Sequence, residues 1–195
     1  MTVTTGDRMA LTEHDWLVLM SLAREAIHAQ VKGLPPPSVQ EVSPALAQRA
    51  GVFVTLYRHG RLRGCVGTLT EDAPLHRAVA RMAIAAAFED YRFPPLSEDE
   101  VEELTIEISV LSPLREVTTP DDIVVGVHGV ALVHDGQRAV FLPKVAVEQG
   151  WERETLLEQL CHKAGLPGDA WNWPGTKLFV FTVQSYTAGP EHRAS

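Results

Sequence analysis

The chain has 195 residues, 45% of them hydrophobic, which suits one domain or two small lobes with a packed core. Its 17 basic and 25 acidic side chains leave a formal charge of −8, with no basic stripe; nucleic-acid binding and attraction to an anionic membrane surface are therefore disfavoured. With two cysteines, no signal-peptide core in Met1 to Ala10, and no run of roughly 20 apolar residues, the expectation is a soluble, cytosolic protein without disulfides.

Leu11 to Val31 reads as a helix. Trp16, Leu19, Met20, Ala23 and Ile27 recur at helical spacing, and Thr12 with Asp15 approximates a capping box. Gly33 ends it, and Pro35, Pro36 and Pro37 stiffen the connection. Gly51 to Tyr57 is β-branched and aromatic, and His59-Gly60 predicts a tight turn into a second strand carrying Cys65. An alanine-rich helix follows over Pro74 to Glu89. The prolines at 94 and 95 exclude regular structure from Asp90 to Leu96, after which Ser97 and Glu100 form a capping box for a short helix.

Leu104 to Leu111 alternates cleanly. Leu104, Ile106, Ile108 and Val110 form an apolar face, and Thr105, Glu107 and Ser109 a polar one. Val124 to Leu142 reads as two strands around Asp135-Gly136. Glu152 to Ala164 is a helix closed by Gly165, and Leu178 to Tyr186 a last strand. Hairpins imply antiparallel pairing, so the class is α+β, with antiparallel or mixed sheets flanked by helices. A single domain over 11–187 is expected, with residues 1–10 and 188–195 as flexible termini.

The stretch Leu62-Arg63-Gly64-Cys65-Val66-Gly67-Thr68 concentrates the candidate chemistry. Glycine weakens a strand, so Gly64 and Gly67 imply close approach of another backbone or a ligand. Simple alternation puts Leu62 and Val66 toward the core, and Arg63 and Cys65 together on the opposite face. A guanidinium there would favour the thiolate or bind a substrate anion. Glu107, if in the same sheet, could pair with Arg63 or act as a base beside the thiol. The plainer alternative is a cysteine packed as a small hydrophobe. Cys161, at helical spacing with Leu157, Leu160 and Ala164, reads as structural.

His128, before Gly129 in an apolar run, is a candidate base or proton shuttle, or a hydrogen-bonded histidine at a bulge. Tyr91, Arg92 and Phe93 occupy the proline-stiffened loop, as a lip over the site or a plug in the core. Catalytic candidates are thus Cys65, Glu107 and His128; substrate-binding candidates are Arg63, Gly64, Gly67 and Arg92. The histidines and cysteines show no metal-ligand spacing, and the residues specify no cofactor. Trp151, Trp171 and Trp173 are expected in a core or between lobes.

Leu62 to Thr68 resembles the Leu-Arg-Gly-Cys-Ile-Gly signature of the AMME chromosomal region protein family, whose prokaryotic members are called AmmeMemoRadiSam system protein A. The resemblance continues through Ala86 to Leu96, Glu107 to Leu111, His128-Gly129-Val130, Leu142 to Ala146, Gly150-Trp151 and Leu160 to Leu166, in order. Val66 replaces the common isoleucine. It implies an α+β fold with two lobes and a cleft between them. It also implies an association with a Memo-like protein and a radical S-adenosylmethionine enzyme. The resemblance supports an enzyme, or enzyme subunit, in small-molecule or macromolecule modification; the alternative is a non-catalytic adaptor or ligand-binding module.

Overall fold

The computed structural model describes residues 10–38 and 42–190. The elements run α1 (Glu13–Val31), α2 (Pro44–Ala47), β1 (Val52–Arg58), β2 (Arg61–Thr68), α3 (Leu75–Phe88), α4 (Glu98–Val101), β3 (Leu104–Leu111), β4 (Arg115–Val117), β5 (Gly129–His134), β6 (Gln137–Phe141), α5 (Pro143–Gln149), α6 (Arg153–Lys163), β7 (Lys177–Phe181) and β8 (Val183–Ala188). The fold is α+β, with two four-stranded sheets ordered β2-β1-β3-β8 and β4-β7-β5-β6. The chain divides into two compact units, 1–111 with 184–195, and 112–183.

The first unit is a sheet with helices α1 and α3 against one face. Val52, Val54 and Leu56 of β1 and Ile106, Ile108 and Val110 of β3 alternate inward. They join Leu19, Ala23 and Ile27 of α1 and Val79, Ala83 and Ala86 of α3 in one buried cluster. Each fully buried aliphatic side chain contributes roughly 1.5–3 kcal/mol relative to exposure. Thr12 and Asp15 make the expected capping box on α1. The alanines of α3 let its backbone lie close on β2: a Cβ on Gly64 would fall on the Ala86 carbonyl oxygen.

The second unit packs α6 on its sheet through Leu156, Leu157, Leu160 and Cys161, against Val130, Leu132, Leu178 and Val180. Trp151, Trp171 and Trp173 lie at the margin of this core. Both predicted hairpin turns form, with left-handed backbone at His59 and Gly60 (φ 50° and 74°) and at Asp135 and Gly136 (φ 45° and 82°).

Two expectations change. The predicted last strand is two strands, β7 and β8, broken at Thr182 and belonging to different sheets; an apolar run does not record which sheet it joins. The strand expected from Val124 begins only at Gly129, because residues 125–127 form a turn. Of the predicted flexible termini, 1–9 and 191–195 lie outside the described residues. Ala188 is buried at the end of β8, and the Gly189 carbonyl accepts a hydrogen bond from Arg24 Nη2 at 3.3 Å, so the chain is held beyond Thr187. Among the described residues, no helix is long and apolar enough to cross a membrane.

Candidate functional site

The direction of Cys65 is set by a bulge. The two-residue turn pairs Arg58 with Arg61 and Tyr57 with Leu62, but the register then shifts so that Leu56 pairs with Gly64 and Thr55 with Cys65. Arg63 is the extra residue. Without it, a regular hairpin would set Cys65 opposite Val54, on the face covered by helices. With it, Cys65 joins a row running Cys65, Thr55, Glu107 across β2, β1 and β3.

Thr55 Oγ1 lies 3.2 Å from Cys65 Sγ. Cys65 itself is half-buried. The adjacent row holds Gly67, Phe53 and Ser109. The Phe53 ring occupies the space a Cβ on Gly67 would need. Ser109 Oγ donates to Glu107 Oε1 at 3.4 Å and meets Ser185 Oγ at 3.0 Å. This face is therefore polar, and it carries the thiol and a carboxylate two strands apart, about 10 Å by strand spacing.

The bulge also overturns the simple alternation. Leu62, expected in the core, opposes Tyr57 and is exposed. Arg63 does not stand beside Cys65 or pair with Glu107. Its Nε and Nη2 each donate to Glu100 at 2.9 Å, and its Nη1 is buried without a hydrogen-bond partner. Glu100 also accepts the Ser97 N–H in the α4 capping box. Arg63 holds its carboxyl well below the usual range, at about 2.

Asp90 anchors the loop after α3. Its Oδ2 accepts the Cys65 N–H at 2.9 Å and Arg92 Nη2 at 2.7 Å, and its Oδ1 accepts Arg92 Nε at 2.9 Å. The Arg92 guanidinium is the main reason its carboxyl lies at about 2. Phe93 is half-buried, with its ring centroid 6.0 Å from the Arg63 guanidinium and 5.5 Å from that of Arg92. Leu96 plugs the core and Tyr91 is 96% exposed. The loop is thus a plug at one end and an exposed segment at the other.

His128 belongs to the second unit. Its Nδ1 accepts the Val124 N–H at 3.1 Å, closing the turn before β5, and burial pushes its pKa down. Cys161 is fully buried, and burial pushes its thiol up. Among the described residues, no group of His, Cys, Asp and Glu side chains is arranged to hold a metal ion.

Sequence reasoning passed over Thr55 and Asp90. Thr55 is apparent only once the bulged register is known. Asp90 carries a weak local signal, an Asp-x-Arg spacing directly after an apolar helix.

A family profile for AMMECR1 matches residues 20–186. The chain belongs to the AMMECR1 family. Similar AMMECR1-family relatives include a protein of Thermococcus gammatolerans and protein TK0174 of Thermococcus kodakarensis. Each is 40% identical over 192 residues, covering 90% of this chain and 93% of the relative. The crystal structure of the uncharacterized protein PH0010 from Pyrococcus horikoshii matches with a TM-score of 0.84 and 36% identity, covering 90% of this chain and 92% of that one. The AMMECR1 match spans both compact units, so the Cys65 strand and the His128 turn both fall inside the family's extent.

Proposed function

We propose that this AMMECR1-family protein is an enzyme, or a subunit of one, in which Cys65 is a nucleophile or covalent carrier. The observation that carries this reading is the bulge at Arg63, which turns Cys65 from the aliphatic core onto a polar face against Thr55 Oγ1. Bulges re-aim side chains next to active sites more often than elsewhere. Glu107, two strands away in the same row, is the carboxylate of β3 on that face. The family resemblance adds a Memo-like protein and a radical S-adenosylmethionine enzyme as partners in the same modification chemistry.

Iodoacetamide labelling of single-thiol chains tests the reading. The Cys161→Ala chain, which retains Cys65, is expected to label in the native state. The Cys65→Ala chain, which retains Cys161, is expected to label only after unfolding, since Cys161 is fully buried. A Cys65 protected until the protein unfolds would overturn the proposal and leave the adaptor or ligand-binding reading.

A further inference from the structure

Strand β2 is the outer strand of its sheet, with β1 on one side only. An edge strand presents main-chain groups that need partners. At Cys65 both are taken from outside the sheet. Its N–H donates to Asp90 Oδ2 at 2.9 Å, and its carbonyl accepts Arg92 Nη2 at 3.4 Å. Asp90 and Arg92 together replace a neighbouring strand at this one residue. The Thr55–Cys65 pair is then one whose main chains do not bond each other, the geometry that brings side chains closest.

Asp90 grips two nitrogens of the guanidinium and so fixes its plane as well as its place. The Asp90 side chain is 4% exposed and that of Arg92 45%; the carboxylate is sealed while the cation keeps an open side. The contact of Arg92 Nη2 with the Cys65 carbonyl keeps this cation at the thiol-bearing residue. Arg63 likewise spends its Nε and Nη2 on a carboxylate, that of Glu100, but it is buried, whereas Arg92 is open on one side and its Nη2 also reaches the Cys65 carbonyl. The other titratable groups on the Cys65 face of β1 and β3 are Tyr57 and Glu107, and the Glu107 carboxylate opposes a thiolate.

We infer that Arg92 is the cation that stabilises the Cys65 thiolate, and that Asp90 is the positioning residue that holds it there. The inference rests on the proposed reactivity of Cys65.

The experiment follows the second-order rate of iodoacetamide labelling at Cys65 against pH, in the full-length Cys161→Ala chain. The reagent is uncharged, so its own attraction to Arg92 does not enter. Arg92→Gln is expected to move the rate–pH curve upward by about half to one unit, slowing labelling near neutrality about three- to tenfold. Arg92→Lys recovers part of that loss. Arg81→Gln, an exposed cation paired with Asp72, leaves the curve in place and controls for net charge. In an Asp90→Asn background the Arg92→Gln step has a smaller effect, because the guanidinium is no longer held. A reactive Cys65 whose curve is unmoved by Arg92→Gln overturns the role of Arg92 and leaves the reactive thiol standing. A Cys65 that fails to label in the native wild-type background overturns both. Should Arg92→Gln not fold, Arg92→Lys and Asp90→Asn carry the comparison, and unmoved curves in both overturn the inference.

Discussion

Gly64 and Gly67 are small for different reasons, and the difference is measurable. A Cβ on Gly64 meets the Ala86 carbonyl, a main-chain atom inside α3 that cannot step aside. A Cβ on Gly67 meets the Phe53 ring, a side chain and not main chain. Gly64→Ala is therefore expected to cost at least about 3 kcal/mol, and Gly67→Ala less, about 1–2 kcal/mol. Urea denaturation of the two variants checks the order; equal costs would mean α3 can lift from β2. Both glycines thus have packing reasons for their size, whatever further part they take at the site. Asp90 adds a pH dependence at the same scale. Its carboxyl is lowered from 3.8 to about 2 in the folded chain. A depressed folded value stabilises above the unfolded pKa, and the benefit is lost as pH falls from about 4 through about 2. One such group contributes about 2 kcal/mol at neutral pH. Asp90→Asn is accordingly expected to lower the urea midpoint at pH 7 and to flatten its fall below pH 4.

Helix α4 has 4 residues and carries a carboxylate that serves two purposes. Its Glu100 closes the capping box with Ser97 and also neutralises Arg63, which is 9% exposed. The Glu100 carboxyl is lowered from 4.5 to about 2, so its contribution too is complete above about 4.5 and lost toward about 2. Arg58 adds a second cation, donating to Glu100 at 3.1 Å and also to Glu103. Removing Glu100 would strand Arg63 in a buried position, where one guanidinium nitrogen already lacks a partner. Glu100→Ala is expected to cost about 3–5 kcal/mol, read from the denaturation midpoint. A loss under about 1 kcal/mol would show that Arg63 finds water instead. The same pair anchors the bulged residue of β2. Stability at Glu100 and the direction of Cys65 are therefore linked through Arg63.

At the scale of the whole chain, the first unit is discontinuous and the second is a single insert between β3 and β8. The closing strand β8 is sequence-remote but integral to the first unit. Tyr186 stacks on Trp16 with ring centroids 5.7 Å apart, Ala188 is buried, and Ser185 meets Ser109. A chain ending at Val183 would leave the edge of β3 open and Trp16 uncovered. It is expected to unfold at lower urea concentration and to aggregate on concentration, because an unpaired apolar edge is a template for other chains. Light scattering with the urea midpoint checks this; a truncated chain of unchanged stability would show β8 to be dispensable.

Much of the architecture is legible locally. Helical spacing from Trp16 to Ile27, alternation from Leu104 to Leu111, and the turn residues His59-Gly60 and Asp135-Gly136 each depend on near neighbours, and each element forms. The identity of the cysteine strand is equally local. The direction of its side chains is not. It depends on one unpaired residue, Arg63, held in the bulge by a carboxylate 37 positions away. Period-two alternation carries no mark of such a shift, so it sent Leu62 to the core and Arg63 to the thiol. The partners of Cys65 were hidden for the same reason. Thr55 faces it through strand register, and Asp90 reaches it from 25 residues on. The sequence by itself determined which elements form and that Cys65 lies between two glycines on a strand. Only the tertiary structure decided that Arg63 leaves the thiol's side and which cation stands near Cys65 instead, because side-chain direction on a bulged edge strand is set by long-range pairing.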